Sequence, residues 1–251
     1  MASADILGNI AIIKESTRKK ELAQARELIK KPGVKTVLAT VGNVRGRLRT
    51  IKTRHVMGEK NLVADYKENN CRFRFNIETC YFSSRLAGER KLIAGKIRMK
   101  DSVLVMFAGV GVFPIVIYKL SKPKKIVGIE IGKECCRYFR ENLKLNKIPE
   151  EKIELVQGDV KKKTGGKFDV VIMARPNLKE SFLKWGLKAS KKNTRLFYHA
   201  FCNIDEIKEV SEKLVREAKE LGRKIKIREI VKSGDIAPYK FRFRIEFRVL
   251  D

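Results

Sequence analysis

From Lys100 to its C-terminus, the sequence alternates short apolar runs with longer amphipathic stretches, and this alternation limits the fold more than any other feature. Apolar runs predict β-strands, whereas stretches with apolar residues three and four positions apart predict α-helices. Strands separated by helices pair in parallel and are covered on both faces. The pattern therefore predicts a doubly wound, mostly parallel α/β sheet. Its strands are expected at 103–107, 126–130, 153–157, 170–173 and 195–200, and its helices at 112–120, 133–146, 178–189 and 205–221.

The two ends of the chain add a hairpin and a small unit to this sheet. Two further strands, at 224–231 and 241–250, are joined by the turn SGDIAPYK and predict an antiparallel hairpin at one edge. We divide the chain into a small basic α/β domain, 1–78, and a larger domain, 79–251, that holds the sheet. The N-terminal strands are expected at 8–14, 34–41 and 71–76, with helices at 17–31 and 84–96.

Charge is the strongest signal in the composition. The chain has 57 Lys and Arg residues against 29 Asp and Glu, a formal net charge of +28 at pH 7. Such a surface attracts polyanions, because neutralising a phosphate backbone releases its counterions. A thermophilic lifestyle or a basic proteome also enriches Lys, and that explanation stays open. The balance favours a nucleic-acid partner.

The sequence argues against several other classes of protein. No apolar run approaches the roughly 20 residues that span a bilayer, and the N-terminus lacks the order of a secretion signal. We therefore expect a cytoplasmic protein with no membrane segment. The five cysteines form no C-x-x-C pair and lie far in sequence from the two His, so we expect reduced thiols and no metal site.

A candidate ligand site follows the first strand of the predicted sheet. The segment VLVMFAGVGVF places Gly109 and Gly111 between a buried strand and a helix, where the backbone can approach a ligand closely. Glu130 ends the second strand, where a carboxylate can accept both hydroxyls of a ribose. Asp159 follows the third strand, placed near an adenine amino group. Either acid alone could be an exposed turn residue, but together at successive strand ends they favour a nucleoside cofactor.

Several segments together resemble one family of tRNA-modifying enzymes. FAGVG, IE, ENLKLN and GDV follow one another as in the tRNA guanine-N1 methyltransferases that act at tRNA position 37, beside the anticodon. DYKENNCRFRFN, YFSSRLAGER and the C-terminal IAPYKFR are similar to segments of the same family. The resemblance covers nearly the whole chain. It implies the sheet of S-adenosylmethionine-dependent methyltransferases, S-adenosylmethionine as cofactor and the anticodon region of tRNA as partner; we expect a monomer.

The resemblance also assigns the chemistry to three residues. Guanine N1 carries a proton that must leave as the methyl group arrives, and the resemblance makes Glu89 the general base. Arg85, four residues earlier on the same helix face, would hold this carboxylate in place. Negative charge spreads onto O6 as the proton leaves, and Arg49 would stabilise it there. Without the resemblance, Arg85 and Glu89 would be an exposed ion pair of little energetic value.

Further residues are assigned to the RNA and to the cofactor. Arg45, Arg47 and Arg54, in the stretch RGRLRTIKTR, are expected to contact tRNA. The residues that we assign to the cofactor are Arg90, Phe107, Gly109, Gly111, Glu130, Ile131, Asp159, Val160, Ala174 and Pro176.

Two positions depart from the pattern of the family. Val105 stands where the family usually has Asp, and Ala174-Arg175-Pro176 replaces a loop that usually begins with Asn. A changed loop suits a relaxed base pocket, so a bifunctional form that also methylates the tricyclic wyosine precursor stays open. A wyosine-pathway transferase that moves the aminocarboxypropyl group of the same cofactor stays open too, as does a tRNA-binding relic without chemistry.

The charge predicts that binding to tRNA weakens steeply with added salt. Affinity should fall on the order of 10³-fold between ~50 and ~200 mM salt, the loss associated with about six phosphate contacts. Fluorescence anisotropy of labelled tRNA measures this slope. An affinity that does not change with salt would contradict the phosphate-binding interpretation of the basic surface.

Overall fold

The computed structural model describes residues 4–174 and 180–251, and its N-terminal part contains two small sheets. The elements of this part are β1 (Asp5–Leu7), β2 (Ile10–Ile13), α1 (Arg18–Ile29), β3 (Thr36–Arg45), β4 (Thr50–Gly58), β5 (Val63–Glu68) and β6 (Cys71–Asn76). The first four strands form one sheet in the order β1-β2-β3-β4, in which only β2 and β3 are parallel. β5 and β6 pair as a separate antiparallel hairpin.

This part differs from the sequence prediction in that β1, β4 and β5 were not predicted as strands. The strand expected at 8–14 begins only at Ile10, because a turn at Gly8, which has a φ of 61°, separates it from β1. A Cβ atom at Gly8 would lie 1.8 Å from the carbonyl oxygen of Asp65, so only glycine fits where this turn meets β5. β5 itself was missing from the prediction, because the charged residues of VADYKE obscure the alternation of a strand.

The rest of the chain forms the sheet that the alternation predicts. Its elements are α2 (Ala87–Gly95), β7 (Ser102–Met106), α3 (Val112–Ser121), β8 (Lys125–Glu130), α4 (Lys133–Leu145), β9 (Ile153–Gln157), α5 (Val160–Lys163), β10 (Phe168–Met173), α6 (Leu183–Lys188), β11 (Ser190–Asn203), α7 (Ile207–Glu220), β12 (Ile225–Ala237) and β13 (Lys240–Val249). Seven strands pair in the order β12-β13-β11-β10-β7-β8-β9. The five strands from β7 to β11 run parallel, whereas β13 is antiparallel to both β11 and β12. The doubly wound sheet with a C-terminal hairpin is confirmed.

Both faces of the central strands are buried, as a doubly wound sheet requires. Val103 and Val105 of β7 pack into the hydrophobic cluster beneath α2, α3 and α4. Leu104 and Met106 pack into a second cluster beneath α6 and α7. The sequence of β7 is therefore a continuous apolar run, because successive side chains enter the hydrophobic clusters on opposite faces of the sheet.

The hairpin β5–β6 packs against the larger sheet's helices. Phe73 and Phe75 of β6 share one hydrophobic cluster with Phe139 of α4. Asn142 of α4 is fully buried and accepts a hydrogen bond from the backbone N–H of Arg74 at 2.7 Å. Its amide donates to the carbonyl oxygens of Arg74 at 3.1 Å and of Val110 at 3.0 Å. One side chain thus joins the hairpin, α4 and the loop after β7.

Replacing Asn142 by Ala should lower the free energy of unfolding by about 3 kcal/mol, because buried backbone groups lose their partners. Chemical denaturation measures the change. Asn43, which is exposed in β3, provides the matched control, and Asn43→Ala should change stability by less than about 0.5 kcal/mol. Equal effects of the two substitutions would show that Asn142 does not join these elements.

Candidate active site

One cavity opens at the carboxyl ends of the parallel strands, where doubly wound sheets bind their ligands. The loops after β7, β8, β9 and β10 form one side. The connection between β3 and β4, the loop after β6 and the ends of β11, β12 and β13 form the other. The lining residues are Arg47, Leu48, Arg49, Tyr81, Leu86, Phe107, Gly109, Ile129, Glu130, Ile131, Cys135, Gly158, Val160, Ala174, His199, Phe201, Ile236 and Arg242.

The loop after β7 is shaped by left-handed backbone conformations. Phe107, Gly109 and Gly111 have φ values of 61°, 58° and 86°. A Cβ atom on Gly111 would lie 2.2 Å from the ring of Phe139, so glycine is required where the loop crosses α4. Phe107 and Gly109 line the cavity, whereas Gly111 lies behind them as the residue before α3.

Glu130 is held at the end of β8 by backbone donors. Its side chain accepts hydrogen bonds from the N–H groups of Gly109 at 2.8 Å and Gly132 at 2.7 Å. Burial raises the pKa of the Glu130 carboxyl, although these N–H groups oppose the shift. The carboxylate therefore has one orientation, facing a cavity whose walls are formed by the loops after β7 and β8. This arrangement fits a group that accepts two neighbouring hydroxyls.

Asp159 lies at the start of α5, between the lining residues Gly158 and Val160, but is not itself among the residues that line the cavity. Its carboxylate accepts a hydrogen bond from the N–H of Lys161 at 2.9 Å and forms an ion pair with Arg47, also at 2.9 Å. Burial raises the pKa of Asp159, but its hydrogen bonds lower it further, so the net shift is downward. Val160, the next residue, lines the cavity with Ile131 and Ala174.

Two arginines on the opposite side face the cavity without a carboxylate partner. Within the described part of the chain, neither Arg49 nor Arg242 forms an ion pair. Their guanidinium groups lie over aromatic rings, Arg49 at 4.7 Å from the centre of Tyr81 and Arg242 at 5.5 Å from that of Phe201. Arg242 is only 7% exposed. Because a buried cation without a counterion is costly, this side of the cavity is suited to an electronegative ligand.

Glu89 of α2 lies behind this side, bound by two residues that the sequence did not single out. One carboxylate oxygen contacts Nε2 of His199 at 3.2 Å, and the other accepts from Nη1 of Arg244 at 2.8 Å. All three residues are at most 5% exposed. Burial raises the pKa of Glu89, but His199 and Arg244 lower it further, so the carboxylate is ionised at neutral pH.

Two expected positions are corrected by these contacts. Arg85 does not hold Glu89: it is 55% exposed and pairs with Asp5 at 3.0 Å, because the turn at 84–86 points it away from α2's buried face. Arg90 does not line the cavity. It forms a buried bidentate ion pair with Glu68, which directs its guanidinium into the core beneath β5.

Arg54 is also engaged within the protein. Its guanidinium forms an ion pair at 2.6 Å with the fully buried carboxylate of Glu21 in α1. The side chain remains 42% exposed, so a phosphate could reach it only beside this partner. Pro176 and Asn177 lie outside the described residues, as does the side chain of Arg45. Val105, at the family's Asp position, is fully buried in β7.

The sequence contained a signal for His199 but none for Arg242 and Arg244. His199 is one of only two His in the chain and comes at the end of a predicted parallel strand. Arg242 and Arg244 alternate with Phe in FRFR, which is typical of a strand with one solvent-facing side. They are buried because α2 and the β3–β4 connection cover that face.

Comparison with known proteins shows the family. Residues 64–228 match the TRM5/TYW2 methyltransferase domain. The chain belongs to the TRM5/TYW2 methyltransferase family. The matched range includes the loop after β7, both strand-end acids and Glu89.

Relatives of the TRM5/TYW2 chain are named for three related activities. It is 30% identical over 259 residues to the tRNA (guanine(37)-N(1))-methyltransferase Trm5b of Pyrococcus abyssi, covering 98% of this chain and 74% of that relative. It is 35% identical over 146 residues to the tRNA (guanine(37)-N(1))/4-demethylwyosine(37)-methyltransferase Taw22 of Nanoarchaeum equitans, covering 58% and 49%. A tRNA(Phe) (4-demethylwyosine(37)-C(7)) aminocarboxypropyltransferase of Methanocaldococcus jannaschii is 32% identical over 142 residues, covering 57% and 55%.

Two solved structures of the TRM5/TYW2 family share the fold. The complex of aTrm5 with tRNALeu has a TM-score of 0.86 at 28% identity and is matched over 99% of this chain and 72% of that one. Trm5 of Methanocaldococcus jannaschii in complex with adenosine has a TM-score of 0.83 at 28% identity, matched over 99% and 74%.

Other expectations concern metals, thiols and membranes. All five cysteines are buried and free, as expected. Among residues 4–174 and 180–251, no cluster of His, Cys, Asp and Glu could hold a metal ion. Within the same ranges, no helix is long and apolar enough to cross a membrane.

Replacing Glu130 by Gln should weaken the binding of S-adenosylmethionine about tenfold or more, because the neutral amide accepts hydroxyl hydrogen bonds through only one atom. Isothermal titration calorimetry measures the affinity. Glu134 lies four residues away, is exposed and pairs with Arg137, so Glu134→Gln is the matched control and should bind normally. Unchanged affinity in Glu130→Gln would exclude Glu130 as the ribose ligand.

Proposed function

We propose that this chain is a tRNA methyltransferase that moves the methyl group of S-adenosylmethionine to N1 of the guanosine at tRNA position 37. The observation that carries the proposal is one cavity that is lined both by the strand-end loops with Glu130 and by the arginines Arg49 and Arg242. A cofactor and a base that exchange a methyl group must share one site, because the reacting atoms have to approach within about 3.5 Å. A relative named for this activity aligns with 98% of the chain. We further infer a cytoplasmic monomer.

The cofactor would occupy the side formed by the loops after β7, β8 and β9. When bound, S-adenosylmethionine supplies an activated methyl group. We assign Glu130 to its ribose hydroxyls and the backbone at Gly109 to a close approach by the ligand, since no side chain intervenes there. Val160 and Ile131 would offer apolar contacts to the adenine. We assign Asp159 to the adenine amino group, because its carboxylate keeps further acceptor sites beside its contacts with Arg47 and Lys161.

The target base would enter the arginine side. Arg49 has no ion-pair partner among the described residues, and we assign it to O6 of guanine, where negative charge develops. N1 is hidden in stacked or paired RNA, so the base has to be extruded into the cavity. Arg45, Arg47 and Arg54 belong to the small basic domain, 1–78, which we propose as the tRNA-contacting part; the catalytic domain, 79–251, would contribute the sheet.

A bifunctional enzyme is the second candidate. Ala174 lines the cavity where related enzymes usually have Asn, and its methyl group takes less space than an amide. A larger tricyclic base could use that space. The Nanoarchaeum equitans relative is named for both guanine and 4-demethylwyosine. The related aminocarboxypropyl transfer remains a third outcome, because the family includes enzymes named for it.

Mass spectrometry of tRNA nucleosides should detect one added methyl group after incubation with S-adenosylmethionine and a tRNA carrying guanosine at position 37. A second tRNA, carrying the tricyclic precursor, tests the bifunctional form. The matched control is tRNA with adenosine at that position, which should gain nothing. An aminocarboxypropyl increment would assign the chain to the transferase branch, and no product despite measurable cofactor binding would contradict the proposed activity.

A further inference from the structure

We propose that Arg242 is a specificity-determining residue that donates hydrogen bonds to O6 and N7 of the target guanine. This inference rests on the proposed function and deepens it, because it names the edge of the base that the arginines of the cavity recognise. It depends on which charged residues of β13 have partners within the protein.

Three charged residues occupy one face of β13. Arg242, Arg244 and Glu246 alternate with apolar residues, so their side chains point to the same side of the sheet. Glu246 accepts a hydrogen bond from Nζ of Lys96 at 2.7 Å. Arg244 donates to two carboxylates, at 2.8 and 3.0 Å. Among the described residues, Arg242 pairs with no carboxylate, and of the three it is the one that lines the cavity.

The chain offers Arg242 no carboxylate that is not already engaged. Glu89 is the carboxylate whose charge acts on Arg242, but its two oxygens contact His199 at 3.2 Å and Arg244 at 2.8 Å. The residues outside the described ranges, 1–3 and 175–179, include no Asp or Glu. A bound ligand is therefore the group that can supply acceptors to this guanidinium when water leaves the cavity.

The position of Arg242 favours a base over a phosphate as this ligand. Its neighbours in the sheet are Phe201 of β11 and Gly234 of β12. The guanidinium lies 5.5 Å from the centre of the Phe201 ring, and Gly234 has no side chain to cover its other edge. Arg242 is buried, whereas Arg47, which we expect to contact the tRNA backbone, is exposed. The base of an extruded nucleotide enters a cavity most deeply, while its phosphate stays with the backbone at the surface.

One edge of guanine matches a guanidinium. Guanine presents two acceptors, O6 and N7, on its Hoogsteen edge, and arginine can donate to both at once. Adenine presents an amino donor beside N7, and this donor would face the N–H groups of Arg242. Since a carbonyl oxygen accepts two hydrogen bonds, Arg49 can contact O6 at the same time. A base held by this edge leaves N1, on its Watson–Crick edge, open to the methyl group.

The charges around Arg242 favour the base as it loses its proton. Burial lowers the pKa of Arg242, and the nearby cations Arg49 and Arg90 lower it further. Tyr81 and Glu89 oppose this shift. The guanidinium nevertheless stays charged at neutral pH, because an arginine is not deprotonated in proteins. Negative charge grows on O6 as the proton leaves N1, so the contact strengthens in the transition state.

Removing N7 from the base tests the contact directly. A tRNA with 7-deazaguanosine at position 37 has C–H in place of N7 and keeps O6 and N1. The wild type should methylate it with a kcat/KM about tenfold lower or less, because a hydrogen bond to a charged donor is lost. Arg242→Met should lower kcat/KM for guanosine tRNA about 10²-fold.

The decisive quantity is the penalty for 7-deazaguanosine in the two enzymes. It should be about tenfold smaller in Arg242→Met than in the wild type, because any change in the reactivity of the base itself acts on both enzymes equally. Equal penalties would overturn the proposal. If they were accompanied by a weaker salt dependence of tRNA binding in Arg242→Met, they would assign Arg242 to a phosphate.

Two controls separate this contact from a general loss of activity. Arg248, which is half-buried at the other end of β13, lies on the same face, and Arg248→Met should methylate both tRNAs as the wild type does. Inosine at position 37 keeps O6 and N7 but lacks the 2-amino group. Its penalty should be the same in the wild type and in Arg242→Met, and a smaller penalty in the variant would contradict binding at the Hoogsteen edge.

Chemical denaturation distinguishes an arginine that faces a ligand from one that holds the fold together. Arg242→Met removes a buried cation that has no carboxylate partner among the described residues, so the midpoint of denaturation should stay the same or rise. Arg244→Met should lower it, because Glu89 would lose a buried partner. An equal decrease in both variants would overturn the proposal. If the wild type forms no methylguanosine, the proposed function fails; if it does and the 7-deazaguanosine penalties are equal, only this inference fails.

Discussion

The buried carboxylate of Glu89 is the constraint on which the arrangement of the site depends. A carboxylate inside a protein needs opposite charge and hydrogen bonds, because losing water costs several kcal/mol. His199 of β11 and Arg244 of β13 supply them from different strands. α2 therefore has to pack across the end of the C-terminal hairpin.

The two sides of the cavity carry different groups, a carboxylate on one side and arginines on the other. Backbone N–H groups hold the acid at the end of β8, whereas the opposite side presents arginines that lack carboxylate partners among the described residues. The ion pair between Arg47 and Asp159 connects the two sides. A nucleoside on one side would therefore lie against an electronegative base on the other. The net charge of +28 means that the protein surface also attracts anionic partners.

Local signals in the sequence predicted most of the fold and the loop and acid that line one side of the cavity. Gly109, Gly111 and Glu130 follow predicted strands, and parallel strands bring their carboxyl ends to one edge. The partner of Glu89 could not be predicted in the same way. Spacing on a helix favoured Arg85, which is four residues away, but the preceding turn directs it to Asp5. Sequence separation of 110 and 155 residues hid His199 and Arg244.

The sequence by itself determined the parallel strands and the C-terminal hairpin, the glycine loop, the strand-end acids and the excess of positive charge, because each depends on near neighbours or on composition. Tertiary structure alone decided which charged groups are buried and which of them meet. Arg90, which was expected at the cofactor, pairs with Glu68 in the core, and Arg242, which the sequence did not single out, lines the cavity. Burial and pairing depend on elements that pack from distant parts of the chain, and no local pattern records them.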